Sequence, residues 1–328
     1  MTSTTPIRRS TARDRVRHCT AGSSATAGMP RDDAHDRLRR SVGGRIDDVV
    51  VLARRTAELA SLLPQIAPGE VVVLEAGGRS RAVTADARSV VATRSIDETI
   101  TLLEAELVRA PAALVVVEAV SAATGEVLPI GRLAAAAHRH DARILVDAAR
   151  LLPHRAVSLT SWGIDYALIS SRVLDVPFDV TALIGRADWL AASDRATPTT
   201  PTAVAVDAFA SAVDQLATIG FEQLGYREYA LHKRLDAGLG RLPGVRSLSA
   251  FDDPLDRVGM VALAVDGREA DDVVRQLTVR HGIAGCDSGP VTPGRTGRAV
   301  RLQVGLGTTF DDVDRLLRAL GGSAVAAA

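Results

Sequence analysis

The sequence predicts an α/β protein, with a large domain on a mostly parallel sheet and a small C-terminal α+β domain. Three observations predict it. Continuous apolar runs of strand length alternate with helical patterns, the signature of parallel strands buried on both faces. A Pro- and Thr-rich stretch, 193–201 (SDRATPTTP), then breaks the alternation. The chain has 328 residues, and single cores stop growing near ~250–300.

Taken in order, residues 1–45 read as a weakly structured arm, rich at first in Ser, Thr and Arg. The large domain spans 46–192. Its first strand is 48–53 (DVVVLA), and the next pattern, 56–65, is helical. Residues 70–75 (EVVVLE) are a buried strand. Ser95 opens a helix that runs to about Arg109, with Glu98 three residues on as a capping box. Strand 114–120 (LVVVEAV), Ala-rich helix 130–140 and strand 143–147 (RILVD) follow. Residues 165–170 (DYALIS) and 182–185 complete the apolar runs. After a linker at 193–203, the small domain spans 204–328. It carries amphipathic helices at 204–219 and 222–239, a strand at 258–265 and a helix at 269–281. A strand at 300–304, a last helix from 310 to about 320 and a frayed tail at 323–328 end the chain.

Composition narrows the function classes. Lys plus Arg equals Asp plus Glu at 39 each, so no global attraction to nucleic acid or an acidic membrane is expected. Cys19 and Cys286 are too few for a disulfide framework, and no Cys/His spacing predicts a zinc site. No apolar run is long enough to span a bilayer, and 1–30 lacks a hydrophobic signal core, so a cytoplasmic protein is expected. One count stands out: Lys233 is the only lysine. A bias of Arg over Lys removes interchangeable surface lysines, but arginine cannot replace a lysine that acts as an amine nucleophile.

Three blocks carry chemistry: 120–129 (VSAATGEVLP), 143–154 (RILVDAARLLPH) and 165–185 (DYALISSRVLDVPFDVTALIG). Their order and spacing resemble the class V aminotransferases, which include the cysteine desulfurases and are pyridoxal-phosphate (PLP) proteins of fold type I. The stretch 300–320 (VRLQVGLGTTFDDVDRLLRAL) is similar to the end of that family. Ser170–Ser171–Arg172 and the block after Gly282 look most like the ergothioneine-pathway C–S lyases.

The resemblance implies roles for particular residues. Asp147, at the end of a parallel strand, would pair with the protonated pyridine nitrogen, or else it caps the next loop. Thr56 would open the phosphate-binding helix, with Arg54 and Arg55 either gripping phosphate or filling the cup. Ser170 and Arg172 belong to the cofactor motif. His154 falls near the site or is structural. Arg301 would take a substrate carboxylate, or it points outward from an alternating strand. Thr124 and Gly125 form a turn that supports the fold. Cys286 lies where desulfurases carry a mobile catalytic cysteine, but its neighbours differ, so a small buried or loop cysteine is the better reading.

The departures are concerted. The family motif ends in a Schiff-base lysine, and Val173 stands there. Ala122 replaces an Asn, Arg150 replaces a Gln, and 75–81 (EAGGRSR) offers no ring-stacking His or aromatic residue. Lys233 lies in a charged helix and is expected to face solvent. The expectation is a non-catalytic or repurposed homologue, with no confident catalytic residue and PLP held without a covalent link. It would pair as a homodimer, or as a heterodimer with an active relative. The alternative is an active PLP-dependent aminotransferase, cysteine desulfurase or C–S lyase acting on an amino acid, with missing groups supplied in trans.

Overall fold

A computed structural model describes residues 31–63, 67–77, 87–174, 176–190, 199–290 and 298–325. Its chain order is α1 (Arg31–Ser41), β1 (Val49–Ala53), α2 (Thr56–Ala60), β2 (Val71–Glu75), β3 (Arg88–Val91), α3 (Ile96–Arg109) and β4 (Leu114–Glu118). Next come α4 (Ile130–His138), β5 (Arg143–Asp147), α5 (Leu159–Trp162), β6 (Tyr166–Ser170), a 3-10 turn (Ser171–Val173), β7 (Thr181–Gly185) and α6 (Ala187–Leu190). The remainder is α7 (Ala203–Ile219), α8 (Phe221–Leu239), β8 (Val245–Leu248), β9 (Met260–Val265), α9 (Ala270–His281), β10 (Cys286–Pro290), β11 (Arg298–Gln303) and α10 (Phe310–Val325).

Seven strands form the large sheet in the order β1-β7-β6-β5-β4-β2-β3. Only β7 runs against its neighbours, pairing antiparallel with β1 and β6. The apolar runs are continuous because both faces are covered. Val115, Val117, Ile144, Val146, Ala167 and Ile169 pack into one core, and the alternate residues Leu114, Val116, Leu145, Tyr166 and Leu168 pack into the other. Half of the predicted capping box is present: the Glu98 amide donates to Ser95 Oγ at 3.4 Å, but the Ser95 amide donates to Thr93 Oγ1 at 3.3 Å rather than to the Glu98 side chain.

The small domain is a four-stranded antiparallel sheet, β10-β11-β9-β8, covered by α8, α9 and α10. Leu231, Leu235, Val273, Leu277, Leu316 and Leu320 close its core over Val261, Leu263, Val300 and Leu302.

The structure corrects three expected boundaries. Residues 31–41 are helical rather than part of a loose arm, and α1 buries Leu38, with Val42 just beyond it, in the large core. Its Arg37 reaches α7, donating to Asp207 at 2.8 Å, Asp214 at 2.7 Å and Ser211 at 3.0 Å. Helix α7, expected in the small domain, packs Val206, Phe209, Ala210 and Val213 into that same core. At the C-terminus, helix α10 continues to Val325, beyond the expected start of the frayed tail. Among the described residues no single helix is long and apolar enough to cross a membrane.

Candidate functional site

Because β1, β4, β5 and β6 are mutually parallel, their carboxyl ends share one edge of the sheet. Asp147 ends β5, Ser170 ends β6, and Thr56 opens the helix after β1. That edge is where open α/β sheets bind ligands. The buried Ser170 hydroxyl donates to the Val180 carbonyl at 3.3 Å and accepts from the Arg172 amide at 3.4 Å. Thr181, at the start of β7, links Ser170 to Thr56 through hydroxyl contacts of 3.5 Å on each side. Thr181 was not expected as a site residue; its signal was only its place at the head of the antiparallel strand.

Asp147 Oδ1 accepts a hydrogen bond from the Ala149 amide at 3.1 Å, so the carboxylate does organise the next loop. Arg172 is half-exposed, 3.9 Å from Asp179. The turn that carries Val173 is fixed by Ser171, whose hydroxyl donates to the Phe178 carbonyl at 2.6 Å and accepts from the Val180 amide at 2.8 Å. Arg54 and Arg55 are exposed, and Arg55 pairs with Glu58 at 3.0 Å. Of the segment expected to lack a stacking ring, 78–81 lies outside the described residues, as does Cys19.

The turn after β4 docks the two domains. Gly125 adopts φ +82°, and its carbonyl accepts from the Val258 amide at 2.9 Å. The carboxylate of the buried Glu126 accepts from Thr124 and from the Ala250 amide, the latter at 2.9 Å.

Between the domains lies a cleft. Val173, Leu174, Val258 and Met260 give it apolar walls, and Ser121, Arg150, His154 and Gln303 give it polar ones. His154 is held by Glu228 of α8, with Nδ1 2.9 Å from Oε1. Glu228 also accepts from the Gly259 amide and from Arg155, each at 2.8 Å. Burial would raise the Glu228 carboxyl, but the hydrogen bond and charge of His154, with the Gly259 amide and Arg155, bring it down to about 2. Glu228 and Gln303 were missed from sequence. Gln303 had a signal, since it shares a strand face with Arg301 two residues away.

Arg301 is not free to point outward. Its guanidinium grips Asp287 on β10 with two bonds of 2.7 Å and reaches the Ala122 carbonyl at 3.3 Å. Cys286 sits on a strand, its thiol 3.4 Å from the Thr278 hydroxyl, and burial pushes its pKa up. That is the opposite of an activated nucleophile. Lys233 is exposed on α8, 5.5 Å over the Tyr229 ring.

Comparisons with known proteins agree with this architecture. Residues 70–198 match the family model for class V aminotransferases. A probable cysteine desulfurase of Halobacterium salinarum is 26% identical over 290 residues, covering 76% of this chain and 69% of that protein. One from Chlamydia trachomatis is 28% identical over 241 residues, covering 68% and 56%. The chain thus spans 69% and 56% of the length of these two curated relatives. The solved NifS-like protein from Rickettsia africae superposes with a TM-score of 0.77 at 13% identity, over 97% of this chain and 96% of that one, a likeness of fold. Taken together, the comparisons support a likeness to the class V aminotransferases and cysteine desulfurases, carried by residues 70–198.

Proposed function

We propose that this protein is a non-catalytic, repurposed class V aminotransferase homologue that binds PLP without a covalent bond. One observation carries the reading: the residue after Ser170–Ser171–Arg172, where the family motif ends in lysine, is Val173, and it faces the interdomain cleft. A valine has no amine. The only lysine, Lys233, is exposed on α8 and is not among the residues of the cleft.

The remaining residues fit a ring and phosphate held by hydrogen bonds alone. Asp147 would face the pyridine nitrogen, and Thr56 with Ser170 would meet the phosphate. When bound, PLP supplies an electron sink. Arg172, half-exposed beside Asp179, would add positive charge at the rim. His154 serves as a positioning group, since its Nδ1 is committed to Glu228. Arg301 is already satisfied by Asp287 and would have to exchange that partner to hold a substrate carboxylate. In the cell the reading places this chain in the cytoplasm, as a homodimer or in a heterodimer with an active relative.

The test is an absorbance spectrum of the purified chain with added PLP, taken after free cofactor is removed and followed by borohydride reduction. The expected result is no lysine-linked chromophore and no reduced adduct. A stoichiometric adduct on Lys233 would overturn the proposal and favour a working enzyme with a relocated lysine.

A further inference from the structure

We infer that the outward face of α8 docks a second copy of this chain, turned end for end about a two-fold axis. The surface stands apart from the cleft, so the inference goes beyond the reading above and does not depend on what the cleft binds.

Helix α8 carries two stripes. The inward one is Leu224, Glu228, Leu231, Leu235 and Leu239, and it is buried. The outward one is Glu222, Tyr226, Tyr229 and Lys233, spaced four, three and four residues apart. At about 3.6 residues per turn this spacing keeps all four on one narrow face, and it is the repeat by which helices pair along a seam. All four are exposed, and none lines the cleft or the small pocket behind His154. Tyr226 is 77% and Tyr229 59% exposed, whereas the third tyrosine of the chain, Tyr166, is 2% exposed. A tyrosine ring offers a large amphipathic area with few rotamers to freeze, so such residues anchor protein interfaces.

The charges select the occupant. In a two-fold pair, residue i of one copy faces residue j of the other, and j faces i. Setting Tyr226 opposite Tyr229 of the second copy fixes the register of two antiparallel α8 helices. Glu222 stands four residues before Tyr226, and Lys233 stands four after Tyr229. The same register therefore sets Glu222 opposite Lys233 at both ends of the contact. Among the described residues neither has an ion-pair partner within the chain. The neighbouring cation, Arg234, is already paired with Asp314 at 2.6 Å. An acidic partner would suit Lys233 but oppose Glu222, and a basic one would do the reverse. A reversed copy of α8 satisfies both. Lys233 Nζ already lies 5.5 Å from the centre of the Tyr229 ring, which holds the two side chains in place before the second copy arrives. One helix pair is smaller than a standard interface, so the expected dissociation constant is on the order of 10–100 µM.

The test is sedimentation equilibrium of the full chain, from about 5 to 500 µM, with charge reversals on the exposed stripe. Glu222→Lys sets lysine against lysine at both ends, and Lys233→Glu sets glutamate against glutamate. Each should weaken self-association at least about tenfold, so that the wild type is heavier at the same concentration. Mixed in equal amounts, the two variants should recover the wild-type mass, because each supplies the charge the other lacks. The double variant should recover it alone. Tyr226→Ala should also weaken association at least about tenfold, with the melting temperature of the dilute chain unchanged. A wild type no heavier than either single reversal anywhere in the range would overturn the inference, whatever else the face binds. So would a mixture no heavier than its components, since it would break the register.

Discussion

Glu228 bears on stability through its protons. Its folded carboxyl sits at about 2 against an ordinary 4.5, and a depressed carboxylate contributes stability that is present above the ordinary value. That contribution is lost as pH falls from 4.5 toward 2, and a shift of this size corresponds to roughly 3 kcal/mol. Urea unfolding of the wild type and Glu228→Gln should therefore differ most at neutral pH and converge as pH drops below 4.5. A constant difference across that range would show that the carboxylate charge is not what matters. Asp147→Asn makes a contrasting case. An amide oxygen can still accept from the Ala149 amide, so the melting temperature should barely move. PLP affinity, read by absorbance titration, should fall about tenfold if the charged bond to the ring is made. Equal affinity would remove Asp147 from that role.

At the scale of elements, the turn at 121–127 is a hinge plate between the domains. A Cβ at Gly125 would stand 2.5 Å from the Met260 carbonyl and 2.8 Å from that of Val258, on a backbone already at φ +82°. Gly125→Ala should cost at least about 2 kcal/mol in chemical denaturation. An unchanged midpoint would mean that the turn is not needed to hold the domains. The elements that the sequence made legible are those buried on both faces, where continuous Val, Leu and Ile runs leave one reading. The strands it hid are β3 (RSVV), β8 (VRSL) and β10 (CDSGP), and each lies at the edge of its sheet. An edge strand needs little apolar surface and tolerates charge, so its pattern fades into that of a loop. Helix α1 was hidden for a related reason: RDDAHDRLRRS is charged nearly throughout, and Leu38 is its one large apolar anchor. The positions around the cleft divide in the same way. That Asp147 and Ser170 end strands and Thr56 opens a helix was legible from local pattern, whereas the Glu228–His154 pair and the approach of Gln303 cross the domain boundary, which no local pattern records.

For the whole molecule, the large core is closed by α1 and α7, two helices that flank the rest of the large domain in sequence. Leu38→Ala should cost about 2–5 kcal/mol by leaving a cavity under α7, measurable by urea denaturation. A loss below 1 kcal/mol, marking ordinary surface behaviour, would show that α1 is not integral to the core. The chain leaves this core at Gly220, where α7 and α8 meet at 76°, and enters the second core with α8. Lys233 lies on the far side of that bend, exposed on α8, while both tryptophans, Trp162 and Trp189, lie in the large domain. An amine-directed dye therefore reaches a single side chain, on one domain, and the tryptophan donors sit only on the other. Energy transfer between them reports how the two halves move when the cleft fills, and no residue has to be engineered to see it.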